Sequence, residues 1–129
     1  MKHSSLAVLP LLFLATACGS PSQESLAEQG LQHMEQLGTL FDGIKDEASA
    51  KAALPQLEKL IDQMAALKAQ TEKMPKPSAE QEKALNDKFA ARGQAAAMKM
   101  MQAMAKHGGD EKIAAVLKPL EEKFRNMNK

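Results

Sequence analysis

Four stretches of this chain each open on a helix-capping signal and continue with apolar residues three and four positions apart, a pattern that points to amphipathic helices packed together. Ser25 with Glu28 has the form of a capping box, and Leu26, Leu31, Met34, Leu37, Phe41 and Ile44 follow at helical spacing. Asp46 and Ser49 mark a second start, before a seam of Leu54, Leu57, Ile61 and Met64 flanked by Leu60, Leu67 and Met74. Ser78 with Gln81 opens a third helix, whose core face runs through Leu85, Phe89, Gly93, Ala96, Met100, Met104 and His107. Gly108-Gly109 stops it, and Asp110 caps a fourth helix carrying Ile113, Leu117, Leu120, Phe124 and Met127.

The punctuation between these stretches sets the architecture. Met74-Pro75-Lys76-Pro77 ends the second helix, because each residue before a proline is pushed toward extended geometry. Pro55 and Pro119 fall inside helices and cannot donate to the carbonyl four residues back, which predicts a kink or a broken turn at each. Short connections favour antiparallel neighbours, so residues 25–129 read as an all-α, up-down-up-down four-helix bundle. Gly30, Gly38 and Gly43 each cost up to about 1 kcal/mol in the first helix relative to Ala. The alternative is therefore a three-helix bundle with a loosely docked first helix. Small residues from Gly93 to Ala97 should let a neighbouring helix approach closely.

Ahead of the helices, Met1-Lys2-His3 precedes the apolar run from Leu6 to Ala15. That run is shorter than the roughly 20 residues a bilayer span needs, but it suits the core of a secretory signal. Ala15-Thr16-Ala17 then supplies small residues before Cys18, the chain's single cysteine. This motif resembles the lipobox of bacterial lipoproteins. The resemblance implies that residues 1–17 are removed, that Cys18 carries a thioether-linked diacylglyceryl group, and that its new amine takes an acyl chain such as palmitate. It also accounts for an unpaired cysteine in an oxidising compartment. Residues 18–24 then form a short lipidated tether, and the lipid bilayer is the first partner. Gly19 stands where some lipoproteins carry an inner-membrane retention Asp, which by the same resemblance places the protein at the outer membrane, facing the periplasm.

Charge and aromatic content narrow the function. Losing Lys2 with the signal leaves 16 of the 17 basic residues against 16 acids, a balance that argues against nucleic acid as a partner. The acids cluster: Glu24, Glu28, Glu35, Asp42, Asp46 and Glu47 face only Lys45 within residues 23–47, as in an acidic helix that complements its neighbours. There is no Trp and no Tyr, so the side chains that most often anchor interfaces and stack on bases are scarce.

The richest chemistry lies near the end of the third helix. Met100, Met104 and His107 fall on one helical stripe with Met101 beside them, and thioether and imidazole ligands together suit Cu(I). The same stripe is the expected core face, where Met is an adaptable filler. Copper is thus the alternative to a protein without a cofactor. Catalysis is not expected: no Ser stands in a nucleophile-elbow context, His33 and His107 are the only imidazoles after the signal, and Gly108-Gly109 lacks the Lys-Ser/Thr of a phosphate loop. The reading is a non-catalytic structural or interaction module with a possible envelope protein partner.

Two further resemblances concern the helical part. Asp46-Glu47-Ala48-Ser49-Ala50-Lys51-Ala52-Ala53-Leu54-Pro55, with Met74-Pro75-Lys76-Pro77-Ser78, resembles a group of small exported bacterial helical proteins of unassigned role. The layout also resembles the periplasmic four-helix b-type cytochromes, with Met34-Glu35-Gln36-Leu37 where that family has its haem-ligating Met. Phe124-Arg125-Asn126-Met127 lacks the family's second ligand, a His, so the resemblance implies the fold without the haem.

Overall fold

The computed structural model describes residues 22–129; the apolar run, the Ala15-Thr16-Ala17-Cys18 motif and residues 18–21 of the tether lie outside the described residues. Four helices follow one another: α1 (Gln23–Asp42), α2 (Glu47–Glu72), α3 (Ala79–His107) and α4 (Glu111–Met127). Each begins where a short polar side chain accepts from N–H groups that the first turn leaves without partners. Asp46 with Ser49 and Ser78 with Gln81 form complete capping boxes on α2 and α3. Asp110 accepts from the Lys112 and Ile113 amides at the head of α4. The start of α1 differs from the sequence expectation. Ser22 is the cap, accepting from the Ser25 amide at 3.1 Å, and Glu28 turns away to meet Arg92.

Neither internal proline interrupts its helix. Pro55 and Pro119 are solvent-exposed, as are Lys51 and Ala115, whose carbonyls lose a donor. Water can satisfy those carbonyls on the outer face, which is why the helix survives there.

Charge pairs give the directions. Glu24, Glu28 and Asp42 of α1 meet Lys88, Arg92 and Lys106 of α3, each pair 64 residues apart. A constant offset of that kind means parallel helices in fixed register. Asp62 meets Lys123, and Lys68 donates to the Met127 carbonyl, so α2 and α4 are also parallel. The α1 and α2 helices run antiparallel across the short Gly43–Asp46 connection, with Gly30 near the start of α1 set against Leu67 near the end of α2. The chain therefore runs up, down, up, down, as expected. Its main contacts, however, are α1 with α3, α2 with α4, and α1 with α2.

That arrangement puts α1 in the middle of the molecule, which excludes a loosely docked first helix. Its glycines serve close approach: a Cβ at Gly30 would sit 3.3 Å from Leu67 Cδ2, and one at Gly38 would sit 3.5 Å from the Lys99 stem. Gly93 has no such role, because a Cβ there meets nothing within 4 Å.

The core gathers where α1 and α3 end and α2 and α4 begin. Leu37, Leu57, Ile61 and Leu120 are almost wholly buried there, beside Phe41, Ile44, Ala50, Leu60, Ala103, Ile113 and Leu117. Each fully buried Leu or Ile contributes about 1.5–3 kcal/mol over an exposed one.

Candidate functional site

A cleft opens beside this core, between the last two turns of α3 and the length of α4. The two helices are joined by only Gly108–Asp110, yet α3 packs chiefly on α1 and α4 on α2. Their facing sides are consequently left apart. The gap has a volume of about 380 Å³. Phe41 lines it from α1, Met100, Met104 and His107 from α3, and Ile113, Ala114, Leu117, Leu120, Glu121 and Phe124 from α4. Apart from His107 and Glu121, every side chain in that lining is apolar.

The third helix presents its small residues, not its methionines, to α1. Ala96 and Ala103 are buried at 5% and 1% exposure, while Met104 is 52% exposed and Met100 half-buried. On a helical projection Met104 lies beside the Ala96–Ala103–His107 stripe, on the side away from α1. The expected core face is therefore corrected by one position, with Ala103 taking the place of Met104. Small side chains at the contact let α3 lie close to α1, and the longer thioethers swing out to the rim of the cleft.

Of the four residues singled out for metal chemistry, three line this cleft and one does not. Met100, Met104 and His107 share a wall. Met101 is 70% exposed and lies outside the lining, because one residue further along the helix turns it about 100° away. Met98, 53% exposed, lies further round still.

His107 is the one buried polar side chain of the core region, at 8% exposure. Its Nε2 lies 2.8 Å from the Phe41 carbonyl oxygen. A carbonyl only accepts, so Nε2 carries a proton and donates it to this bond. The bond ties the end of α3 to the last turn of α1, adding to the Ile44 N–H that the Phe41 carbonyl also accepts. Among the described residues, no three His, Cys, Asp or Glu side chains converge as a metal-holding group.

Electrostatics is concentrated on the opposite flank of α3. Arg92 spans two carboxylates, donating from Nη1 to Glu28 at 3.0 Å and from Nη2 to Glu35 at 3.2 Å. Hydrogen bonding to Arg92 holds the Glu28 carboxyl below its ordinary range and raises the guanidinium in turn. Lys106 lowers Asp42 in the same way, through a hydrogen bond of 3.0 Å. The acidic stretch is thus matched mainly by α3.

The sequence reading missed the cleft itself, including Ala114, Glu121 and the contribution of Phe41. The available signal was the matched charge spacing of α1 and α3, which commits α3 to α1 and leaves its other side free. Comparisons with protein-family models, curated proteins and solved structures find no match to this chain.

Proposed function

We propose that the chain is an exported lipoprotein, acylated at Cys18 and held at the outer membrane facing the periplasm, where its helical part acts as a non-catalytic interaction module. The observation that carries this reading is the Ala15-Thr16-Ala17-Cys18 motif at the end of an apolar run, four residues before the Ser22 cap of α1. No helix among the described residues is long and apolar enough to cross a membrane; in this reading the lipid on Cys18 supplies the attachment. Three acyl chains exceed the two signals that stable anchoring takes.

The geometry supports an orientation as well. The anchor enters at the start of α1, whereas the cleft lies at its far end beside Phe41. Eighteen residues of helix separate the two by roughly 27 Å. An interaction surface there would be presented away from the bilayer.

Membrane fractionation and intact mass of the native protein test the anchor. A lipid adduct on Cys18 and recovery with membranes are expected, and Cys18→Ser should leave the protein uncleaved or soluble. A processed, membrane-bound Cys18→Ser protein would overturn the reading.

A second reading follows from the shared wall of Met100, Met104 and His107: soft ligands that together suit Cu(I). Titration with Cu(I) under reducing conditions against a competing chelator decides it. Binding tighter than about micromolar, lost when the three become Leu, Leu and Gln, would favour copper, since such volume-conserving swaps leave the fold intact.

A further inference from the structure

We propose that the side of α3 carrying Met98, Met101 and Met104 is a modification site, where hydroperoxide oxidants are reduced by reversible conversion of the thioethers to sulfoxides. Met1 aside, these three methionines are the exposed ones, at 53%, 70% and 52%. Met34, Met64, Met74, Met100 and Met127 are all half-buried. Spaced three apart, the exposed three put a thioether on successive turns along one side of the helix. Their neighbours on that side, Gln94, Ala97 and Ala105, are neutral. The nearest cations, Lys99 and Lys106, are turned to Thr39 and Asp42 of α1.

Packing does not account for methionine here. The adaptability that suits Met to a core is unused where the side chain meets water, and Leu, Lys, Gln and Glu support a helix about as well. What sets Met apart at an exposed position is the sulfur lone pair. With hydrogen peroxide it attacks one oxygen, so that an S–O bond forms and the O–O bond breaks. The proton on the transferred oxygen passes to the departing hydroxide, which leaves as water. Sulfur is oxidised by two electrons to the sulfoxide, and the peroxide is reduced by the same two. A sulfoxide is polar and disrupts a core, but on this face it is hydrated and displaces no buried contact. The buried residues of α3 toward α1 are Ala96 and Ala103, so the fold tolerates the oxidised form. This chemistry is independent of the anchor at Cys18.

The test treats purified full-length protein with hydrogen peroxide, folded and in urea, and follows sulfoxide at each methionine by peptide mass spectrometry. Met98, Met101 and Met104 should react within about twofold of their rates in the unfolded chain, while Met34, Met64 and Met100 should be slowed about threefold or more. The protein bearing three sulfoxides should keep its helical spectrum and urea midpoint. Methionine sulfoxide reductases, one for each epimer, should return all three to thioethers without unfolding. Changing Met98, Met101 and Met104 together to Leu should lower fast peroxide uptake by about three equivalents per chain. Equal slowing of all the methionines by folding would overturn the assignment. So would loss of helix on oxidation of these three, sulfoxides that the reductases do not reach, or peroxide uptake unchanged in the Leu variant. Protection of Met98 and Met101 that grows with protein concentration would overturn it too, making this face a contact between copies of the chain.

Discussion

The two parallel helix pairs of this protein are held by different physics. Between α1 and α3 the contact is made by small and charged side chains: buried Ala96 and Ala103, flanked by Lys88–Glu24, Arg92–Glu28, Arg92–Glu35 and Lys106–Asp42. Between α2 and α4 it is branched and apolar, with Leu57 and Ile61 in one buried cluster with Ile113, Leu117 and Leu120 and the Lys123–Asp62 pair at the edge. Exposed ion pairs add little stability, but a series in constant offset penalises every other register. Buried branched side chains stabilise strongly but tolerate rearrangement so long as volume and pattern are kept. The comparison teaches a division of labour: the apolar cluster that α2 and α4 share with the end of α1 supplies most of the stability, and the α1–α3 ladder selects the partner and the register.

The sharpest way to break this comparison is to truncate that cluster. Leu57 is fully buried, and Leu57→Ala should cost about 2–5 kcal/mol through lost transfer free energy and the cavity left behind. Urea denaturation followed by circular dichroism measures it. A loss under about 1 kcal/mol would show that the cluster is not the source of stability. The α1–α3 contact should respond to the opposite change. At 1% exposure Ala103 has no room, and Ala103→Leu should cost about 1–3 kcal/mol by forcing α3 away from α1. A neutral or stabilising Ala103→Leu would mean that the helices are not closely apposed there.

These two regions were not equally legible in the sequence. The apolar spacing of Leu57, Ile61, Ile113, Leu117 and Leu120 marks the cluster directly, since a helix buries residues three and four apart. Helix number, the caps at Asp46, Ser78 and Asp110 and the proline stop after Met74 were likewise readable from local chemistry. Pairing was not, because short loops state which helices are antiparallel but not which lie side by side. The information was nonetheless present. Glu24, Glu28, Glu35 and Asp42 are spaced four, seven and seven, and Lys88, Arg92, Lys99 and Lys106 repeat that spacing 64 positions on. Reading apolar and charged patterns separately hides such a match. The site suffered from the same gap: Met100, Met104 and His107 could be placed on one stripe, but whether that stripe faces α1 or the open side toward α4 depends on the pairing. Helical phase settles it, with Ala103 turned inward and Met104 turned toward the cleft.

A smaller effect sharpens the contrast by acting on one helix end. The first turns of α3 are solvent-exposed, and Ser78 caps them within a complete capping box. Ser78→Ala should cost about 1 kcal/mol. Because few buried contacts hold that end, hydrogen exchange should accelerate in residues 79–85 well before it does in α4. Uniform acceleration over all four helices would show instead that the α3 start unfolds only with the whole domain.

The smallest effect on stability bears most directly on register. Glu28 and Asp42 have carboxyls lowered by Arg92 and Lys106, so their folded pKa values lie below the unfolded ones. The sign follows: their contribution is complete above the ordinary carboxylate range and is lost as pH falls through the lowered values. Arg92, raised by the same pairing, stays charged throughout that window. Glu28→Gln should therefore reduce stability slightly at neutral pH and flatten its decline in acid. Salt should erase the difference from the parent, because the pair is exposed and screened, whereas the Leu57→Ala deficit should persist in high salt. Reversing Arg92→Glu alone sets three carboxylates together on α1 and α3, and adding Glu28→Arg restores one pair. If the ladder selects register, the single reversal should weaken α1–α3 protection in hydrogen exchange and the double variant should recover part of it. Equal protection in parent, single and double variants would assign register to the apolar contacts and reduce the matched spacing to a surface feature.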